Sequence, residues 1–267
     1  MPVAPAASPT ASVTISLAVI TKNEARNIAR CIESCRGLVG EIVIVDSGST
    51  DDTIAIARGL GARVERHAFD NYGTQKNRAL DLATGDWILN LDADEWLSDA
   101  LRDEIRAAIA AAPADCASFG FPRHNRICGA FRRFGGWRES RKYRLWRKGK
   151  VRWAGSVHEW GEVAQGFHQR MLRAPMMHDL GDDWPLYVSK QIKYAQMQAA
   201  QMHANGRRAG TLAAPLRASA AWLKAALLQG AVFEGAFGLR TARLRAQVAY
   251  AKWDGIRQRS RQTAPSA

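Results

Sequence analysis

The 267-residue sequence is short of several things, and each shortage removes a class of protein. No stretch reaches the roughly 18 uninterrupted apolar residues that cross a bilayer, so a membrane-spanning chain is not expected. Cysteine is scarce. Cys31, Cys35, Cys116 and Cys128 form no Cys-x-x-Cys pair, which fits a reduced cytoplasmic chain better than a disulfide scaffold. Cys31 and Cys35, one helical turn apart, read as core residues rather than metal ligands. No charge precedes Lys22, and Pro2, Pro5 and Pro9 interrupt the start. A secretory signal has a basic n-region and a solid apolar core, so residues 1–13 read instead as a flexible tail. Acidic residues are in the minority, with 25 Asp and Glu against 38 Lys and Arg, and no internal repeat is present.

What is there is substantial. A 47% hydrophobic content and nine Trp exclude a disordered chain, and the length suits one large domain or a domain with an appendage. A net charge of +13 implies an anionic partner: nucleic acid, an acidic membrane surface or a phosphorylated substrate. Between Arg123 and Arg152 twelve Lys and Arg stand against one acid, Glu139.

The stretch that organises the rest is Asp86-Trp87-Ile88-Leu89-Asn90-Leu91-Asp92-Ala93-Asp94-Glu95. It reads as a strand buried on both faces, running into three carboxylates within four residues. In extended chain Asp92 and Asp94 point the same way and could share a hard cation, Mg2+ or Mn2+. An acidic turn capping a helix from near Ser98 is the plainer alternative. Upstream, Ile15–Ile20 and Glu41–Asp46 read as strands, and Ala62–Glu65 as a short third. Thr21 with Glu24 matches a capping box for a helix to about Arg36, ended by Gly37. The turn Ser47–Thr53 leaves backbone N–H groups free at a helix start, which favours an anion. A further helix is expected from about Gly73 to Ala83. The first hundred residues thus alternate β-α-β-α-β-α-β, which implies a mainly parallel α/β sheet flanked by helices. Loops at Thr21–Glu24, Asp46–Thr50 and Asp92–Glu95 then meet at one sheet edge, where ligands of open α/β sheets bind.

Ile20-Thr21-Lys22-Asn23-Glu24, Ile44-Val45-Asp46-Ser47-Gly48-Ser49-Thr50-Asp51 and Leu91-Asp92-Ala93-Asp94-Glu95 together resemble the family 2 glycosyltransferases, which have the Rossmann-like GT-A fold. Arg144-Leu145-Trp146-Arg147-Lys148-Gly149 and Val157-His158-Glu159 are similar to the bacterial branch holding lipopolysaccharide-core β-1,4-glucosyltransferases. The resemblance covers residues 14–175 well and the remainder loosely. It implies an inverting transferase that uses a nucleotide-diphosphate sugar and a divalent cation. Asp46 would meet the nucleobase or ribose, Thr21, Asn23, Glu24 and Ser49 would line the donor pocket, and Asp92 and Asp94 would be the DxD pair, with Asp94 the direct metal ligand.

The rest of the site is read from residue chemistry. Lys76 or Arg78, early in the helix before the DxD strand, could reach the donor phosphates. After a strand at about Ala117–Phe121, Arg and aromatic residues interleave. Trp137, Arg141, Arg144 and Arg152 are the expected acceptor contacts, rings for sugar faces and guanidinium forks for phosphates. The same interleaving suits single-stranded nucleic acid. Glu159 is the expected general base and His158 a metal or diphosphate contact.

Past His178-Asp179-Leu180, Pro185 to about Asn205 and Pro215 to Trp253 read as helical, so the expected division is 14–180 for the transferase domain and 181–267 for a basic helical extension. From Arg207 onward eleven Lys and Arg face two acids, a balance that suits an anionic membrane surface. The leading expectation is a transferase peripheral to the cytoplasmic face of the inner membrane. It would move glucose from UDP-glucose to an anionic, lipid-linked acceptor such as lipopolysaccharide inner core, with no nucleic-acid partner. A nucleic-acid-binding protein explains the charge but not three acidic loops at one edge. A sugar nucleotidyltransferase would carry a Gly-rich loop near its start, where Ile15–Asn27 has no Gly.

Overall fold

The computed structural model describes residues 13–137, 140–155 and 159–262, which form two compact units. The first contains the chain through Arg123 together with Ser140–His178, and the second contains His124–Glu139 and the chain from Asp179 onward. The division after His178 lies two residues from the boundary expected from sequence. The assignment of 124–139 to the second unit was not expected.

The first unit is built on one sheet in the order β3-β2-β1-β4-β8-β6-β12-β5. Its strands are β1 (Ile15–Thr21), β2 (Glu41–Asp46), β3 (Arg63–Arg66), β4 (Trp87–Asp92), β5 (Glu95–Leu97), β6 (Cys116–Ile127), β8 (Ser140–Arg147) and β12 (Met176–Asp179), with β11 (His168–Met171) parallel to β6. A two-residue strand, β7 (Ala130–Phe131), hairpins onto the far end of β6 within the second unit. The first four strands in space are parallel; β8 then runs antiparallel to β4 and to β6. The sheet is therefore mixed, with its run of four parallel strands in the first hundred residues.

Alternation along the strands sorts the core into two layers. Leu17 and Val19 of β1, with Leu89 and Leu91 of β4, pack against α1 (Ile28–Ser34), α2 (Thr53–Gly59) and α4 (Asp99–Ala110). Ala18, Val43, Val45 and Ile88 face the other way onto Ala79 and Leu80 of α3 (Tyr72–Leu82). Covering both faces is what lets a β strand read as a near-continuous apolar run. Ser98 caps α4 through its hydroxyl, which accepts from the Leu101 N–H at 3.2 Å.

The capping box expected at Thr21 and Glu24 does not form. Thr21 is the last residue of β1 and α1 begins only at Ile28, with no side-chain cap at Asn27. Glu24 instead accepts from the Asn27 side-chain amide at 2.8 Å. A hairpin of β9 (Val151–Ala154) and β10 (Trp160–Val163) lies beside α3, where Asn77 clamps it: its amide donates to the Trp153 carbonyl and its carbonyl accepts from the Trp153 N–H, both at 2.9 Å.

The second unit is helical, with α5 (Trp184–Ala204), α6 (Ala213–Leu223) running into a π turn (Lys224–Leu228), a 3-10 turn (Ala231–Glu234) and α7 (Gly235–Gln262). The helical region expected from Pro215 to Trp253 is thus interrupted. Gly230 at φ +66° and Gly235 at φ +58° supply the left-handed backbone that an L side chain resists. Its packing uses small residues: Ala199 and Gly255 bring α5 to α7, and Gly238 lies directly against the Ala231 carbonyl. No helix among the described residues is long and apolar enough to cross a membrane.

Candidate functional site

The parallel register delivers the polar ends of three strands to one edge. Thr21 of β1 stands opposite Asp46 of β2, and Ile20 opposite Asp92 of β4. The loops that follow are laced together. Asn23 donates its N–H to the Ser49 hydroxyl and accepts from the Thr50 N–H, both at 2.8 Å. It does so at φ +57°, a left-handed conformation that Asn tolerates better than most residues. The Glu24 N–H donates to the Thr53 hydroxyl at 2.7 Å.

Asp46 is the hub of this lacing and is fully buried. One carboxylate oxygen accepts from the Gly48 and Ser49 N–H groups, the other from the Ser49 and Thr21 hydroxyls, at 2.5–3.0 Å. Burial pushes its pKa up, but the bonds from Ser49, Thr21 and Gly48 outweigh it and hold the carboxyl below its ordinary value. Asp46 therefore fixes the loop at Gly48 and Ser49, and all its acceptor capacity is already in use.

At the end of β4 the acidic loop is met by cations. Asp92 pairs with Lys76 of α3 at 2.9 Å and Arg144 of β8 at 2.5 Å. Burial raises its pKa, and the Arg144 and Lys76 charges more than reverse this, leaving it far below the carboxylate range. Arg144 also pairs at 2.8 Å with Glu95, whose side chain is wholly buried and takes a second ion pair from Arg123 at 3.1 Å. Glu95 closes the turn by accepting from the Asp92 N–H at 3.1 Å.

Asp92 and Asp94 do not lie along one extended strand, because the chain turns between β4 and β5. Asp94 is directed elsewhere. One of its oxygens lies 3.5 Å from Nε2 of His178 on β12, and the other is buried without a hydrogen-bond partner. A buried, unpartnered carboxylate oxygen beside an imidazole is a donor set that fits a hard divalent cation. Among the described residues no group of three His, Cys, Asp or Glu could hold a metal alone, so such a cation would draw its other ligands from a bound phosphate or water.

Lys76 connects this centre to the β9–β10 hairpin. Its ammonium is buried, bonded to Glu159 at 2.9 Å as well as to Asp92, and 4.6 Å from the Trp153 ring. The structure thus brings together Asp92, Lys76, Arg144 and Glu159, leaves Asp94 turned to His178, and laces Thr21, Asn23, Glu24, Asp46 and Ser49 into the adjacent loops. His158 lies outside the described residues.

The expected acceptor contacts separate. Arg144 is an interior counter-charge, 4% exposed. Trp137 belongs to the core of the second unit, where its indole donates to the Thr241 hydroxyl at 3.1 Å and packs against Tyr187 and Phe237. Being surrounded, it offers no free ring face to a sugar. Arg152 is exposed and paired with Asp81, and Arg141 is exposed on β8. Arg78 is held by Asp70 and Gln75. Sequence reasoning missed Glu95, Arg123 and His178. A signal existed for Glu95, since a carboxylate between the apolar ends of two strands must find cations.

The family model described as Glycosyl transferase family 2 matches residues 16–162, more than half of the chain. The chain is 34% identical to the lipopolysaccharide core biosynthesis glycosyltransferase LpsC of Rhizobium meliloti over 68% of each protein. It is 55% identical to an uncharacterized glycosyltransferase of Rickettsia felis over 87 residues, 33% of this chain and 31% of that one. The chain thus spans about a third of the length of that relative. Among solved structures, glucosyl-3-phosphoglycerate synthase from Mycobacterium tuberculosis, in complex with Mn2+, UDP and glucosyl-3-phosphoglycerate, matches with 26% identity and a TM-score of 0.36. That match covers 43% of this chain and 45% of that one.

Proposed function

The chain belongs to glycosyl transferase family 2, and from that premise we propose that it is an inverting, metal-dependent enzyme with Glu159 as its base. The family and the GT-A arrangement of the first unit make it a nucleotide-sugar transferase. The observation that carries the finer reading is the pairing of Glu159 with Lys76, which in turn holds Asp92 at the end of β4.

Transfer with inversion needs one carboxylate on the acceptor side, unlike the paired flanking carboxylates of a glycosidase. In this reading an acceptor hydroxyl gives its proton to Glu159 as its oxygen attacks the anomeric carbon. The bond from that carbon to the donor diphosphate breaks, and the diphosphate leaves with the electron pair. Asp94 with His178 would hold the cation, Mg2+ or Mn2+, which when bound supplies Lewis-acid stabilisation of the leaving diphosphate. His158 stands as a further proposed contact to the metal or diphosphate. Lys76 adds a positive charge on the donor side, and the laced loops around Asp46 form the wall of the nucleotide pocket.

For the donor we propose UDP-glucose, and for the acceptor a phosphorylated, lipid-linked saccharide of the lipopolysaccharide inner-core type, reached at the cytoplasmic face of the inner membrane. The resemblance to LpsC supports the acceptor class, and the exposed Arg141 and Arg152 are the side chains proposed to meet its phosphates. The basic segment is a poor nucleic-acid stripe. Arg123, Arg126, Arg132, Arg144 and Arg152 are each paired with a carboxylate.

The test is thermal stabilisation by UDP, GDP and CMP, with and without Mn2+ or Mg2+, since a ligand that binds only the native state raises the midpoint by mass action. A metal-dependent shift with UDP, lost in Asp94→Asn while the unliganded midpoint stays put, is expected. A shift with another nucleotide would overturn the donor assignment, and an Asp94→Asn protein that still binds UDP with full metal dependence would overturn the metal assignment.

A further inference from the structure

The second unit contains a helix whose sides are sorted the wrong way round for a water-facing protein. Along Ala213–Leu228, Ala214, Ala225 and Ala226 are buried, the last two joining Ala231 and Ala242 in a small core. Leu212, Leu216, Leu223 and Leu227 are exposed. Their spacings of four, seven and four residues put these leucines on one face of a helix, as a continuous stripe. At the end of the stripe the chain turns at Gly230, and the turn carries Leu228 and Phe233, 84% and 78% exposed, with Val232 beside them. Burying alanine and exposing leucine forgoes the larger share of the available hydrophobic stabilisation, unless something else covers the leucines. Contiguous apolar surface of this kind on a soluble protein marks an interaction site.

The surrounding charge says what covers it. Arg217, Lys224, Arg240 and Arg243 are all exposed near or within these elements. The two acids after Arg207 are both engaged inside the unit. Glu234 accepts from the Arg133 and Phe134 N–H groups, and Asp254 pairs with Arg257. The surface therefore presents exposed apolar side chains framed by positive charge. A second copy of the chain would bring like charges together around the patch. An anionic lipid surface answers both features, taking the apolar side chains into the headgroup–acyl boundary and the Lys and Arg onto its phosphates.

We propose that Leu212–Phe233 is an interfacial docking element, lying on an anionic membrane with the Leu212–Leu216–Leu223–Leu227 stripe and the Leu228/Phe233 turn inserted. This deepens the proposed function and rests on it only for the choice of a lipid-linked acceptor.

The experiment is co-sedimentation of the full chain with phosphatidylcholine vesicles, with and without phosphatidylglycerol. Binding to the anionic vesicles alone is expected. Leu228→Ser/Phe233→Ser should weaken it about tenfold or more, because two inserted apolar side chains are lost. Arg240→Glu/Arg243→Glu should erase the preference for phosphatidylglycerol. The nucleotide-induced thermal shift should be unchanged in both variants, which reports an intact first unit. Equal sedimentation of the parent and the Leu228→Ser/Phe233→Ser variant, or no binding by the parent, overturns the proposal. So does a parent dimer in light scattering that becomes monomeric in that variant. Vesicle binding that persists where no nucleotide gives a thermal shift would sink the enzymatic reading and leave the docking element standing.

Discussion

Replacing Arg144 by Met isolates the energetic centre of the acidic loop. Arg144 is 4% exposed and holds Asp92 at 2.5 Å and Glu95 at 2.8 Å. Met keeps most of the stem and removes the charge. Glu95, with no exposed side-chain surface, is then left with Arg123 alone, and Asp92 with Lys76. Removing one partner of a buried ion pair costs about 3–5 kcal/mol, because the remaining charge stays desolvated. Set against a typical total of about 5–15 kcal/mol, that is a large fraction of the stability. At about 2–4 °C per kcal/mol for a domain of this size, the midpoint should fall by about 6–20 °C. Urea denaturation followed by Trp fluorescence and circular dichroism would measure it. Adding Glu95→Gln, which neutralises the stranded carboxylate, should recover part of the loss, so that the double variant is less destabilised than the sum of the singles. An Arg144→Met protein within about 1 kcal/mol of the parent, or strict additivity in the double variant, would refute this account of the loop.

Three further outcomes are expected. Glu159→Gln should keep nucleotide binding and lower turnover by about 10²–10⁴, the usual worth of a positioned general base; unchanged turnover in a sugar-transfer assay would remove Glu159 from that role. Gly238→Ala should unfold the second unit selectively, because a Cβ there runs into the Ala231 carbonyl, and limited proteolysis should cut after Asp179 while the first unit survives. Asp46 and Asp92 have depressed pKa values, so their stabilisation is complete above the ordinary carboxylate value of about 4 and is lost as pH falls through the folded values. Stability should therefore drop from about pH 4 downward, and Asp46→Asn should flatten that acid slope while lowering stability at neutral pH.

Much of the first unit was legible because its strands announce themselves. Glu41–Asp46 is apolar between two carboxylates, and Trp87–Leu91 is apolar but for Asn90; the structure extends the latter by one residue, to Asp92. The meeting of three loops at one edge followed from the right-handed alternation of strands and helices. Thr21 misled because its spacing to Glu24 satisfies a local rule, while its hydroxyl is claimed from 25 residues away by Asp46. The segment from Arg123 to Arg152 was read as one surface because its composition is uniform. Its partners are not: Arg144 answers Glu95 and Asp92, Arg126 answers Asp179 and Arg132 answers Glu234. Those pairings are long-range and leave no local period. Nor could periodicity tell which face of Ala213–Leu228 is covered, since a leucine stripe normally predicts burial.

Lys76 is shared between Asp92 and Glu159, and sharing has a temporal meaning. While Lys76 stays bonded to it at 2.9 Å, one oxygen of Glu159 is occupied. In the proposed reaction a diphosphate arriving beside Asp92 would compete for the same positive charge. Each step by which Lys76 turned toward the donor would free that oxygen, so an acceptor hydroxyl would find the proposed base open only after the donor is seated. One side chain would then act as the clock of the reaction, delaying proton removal until there is a sugar to transfer.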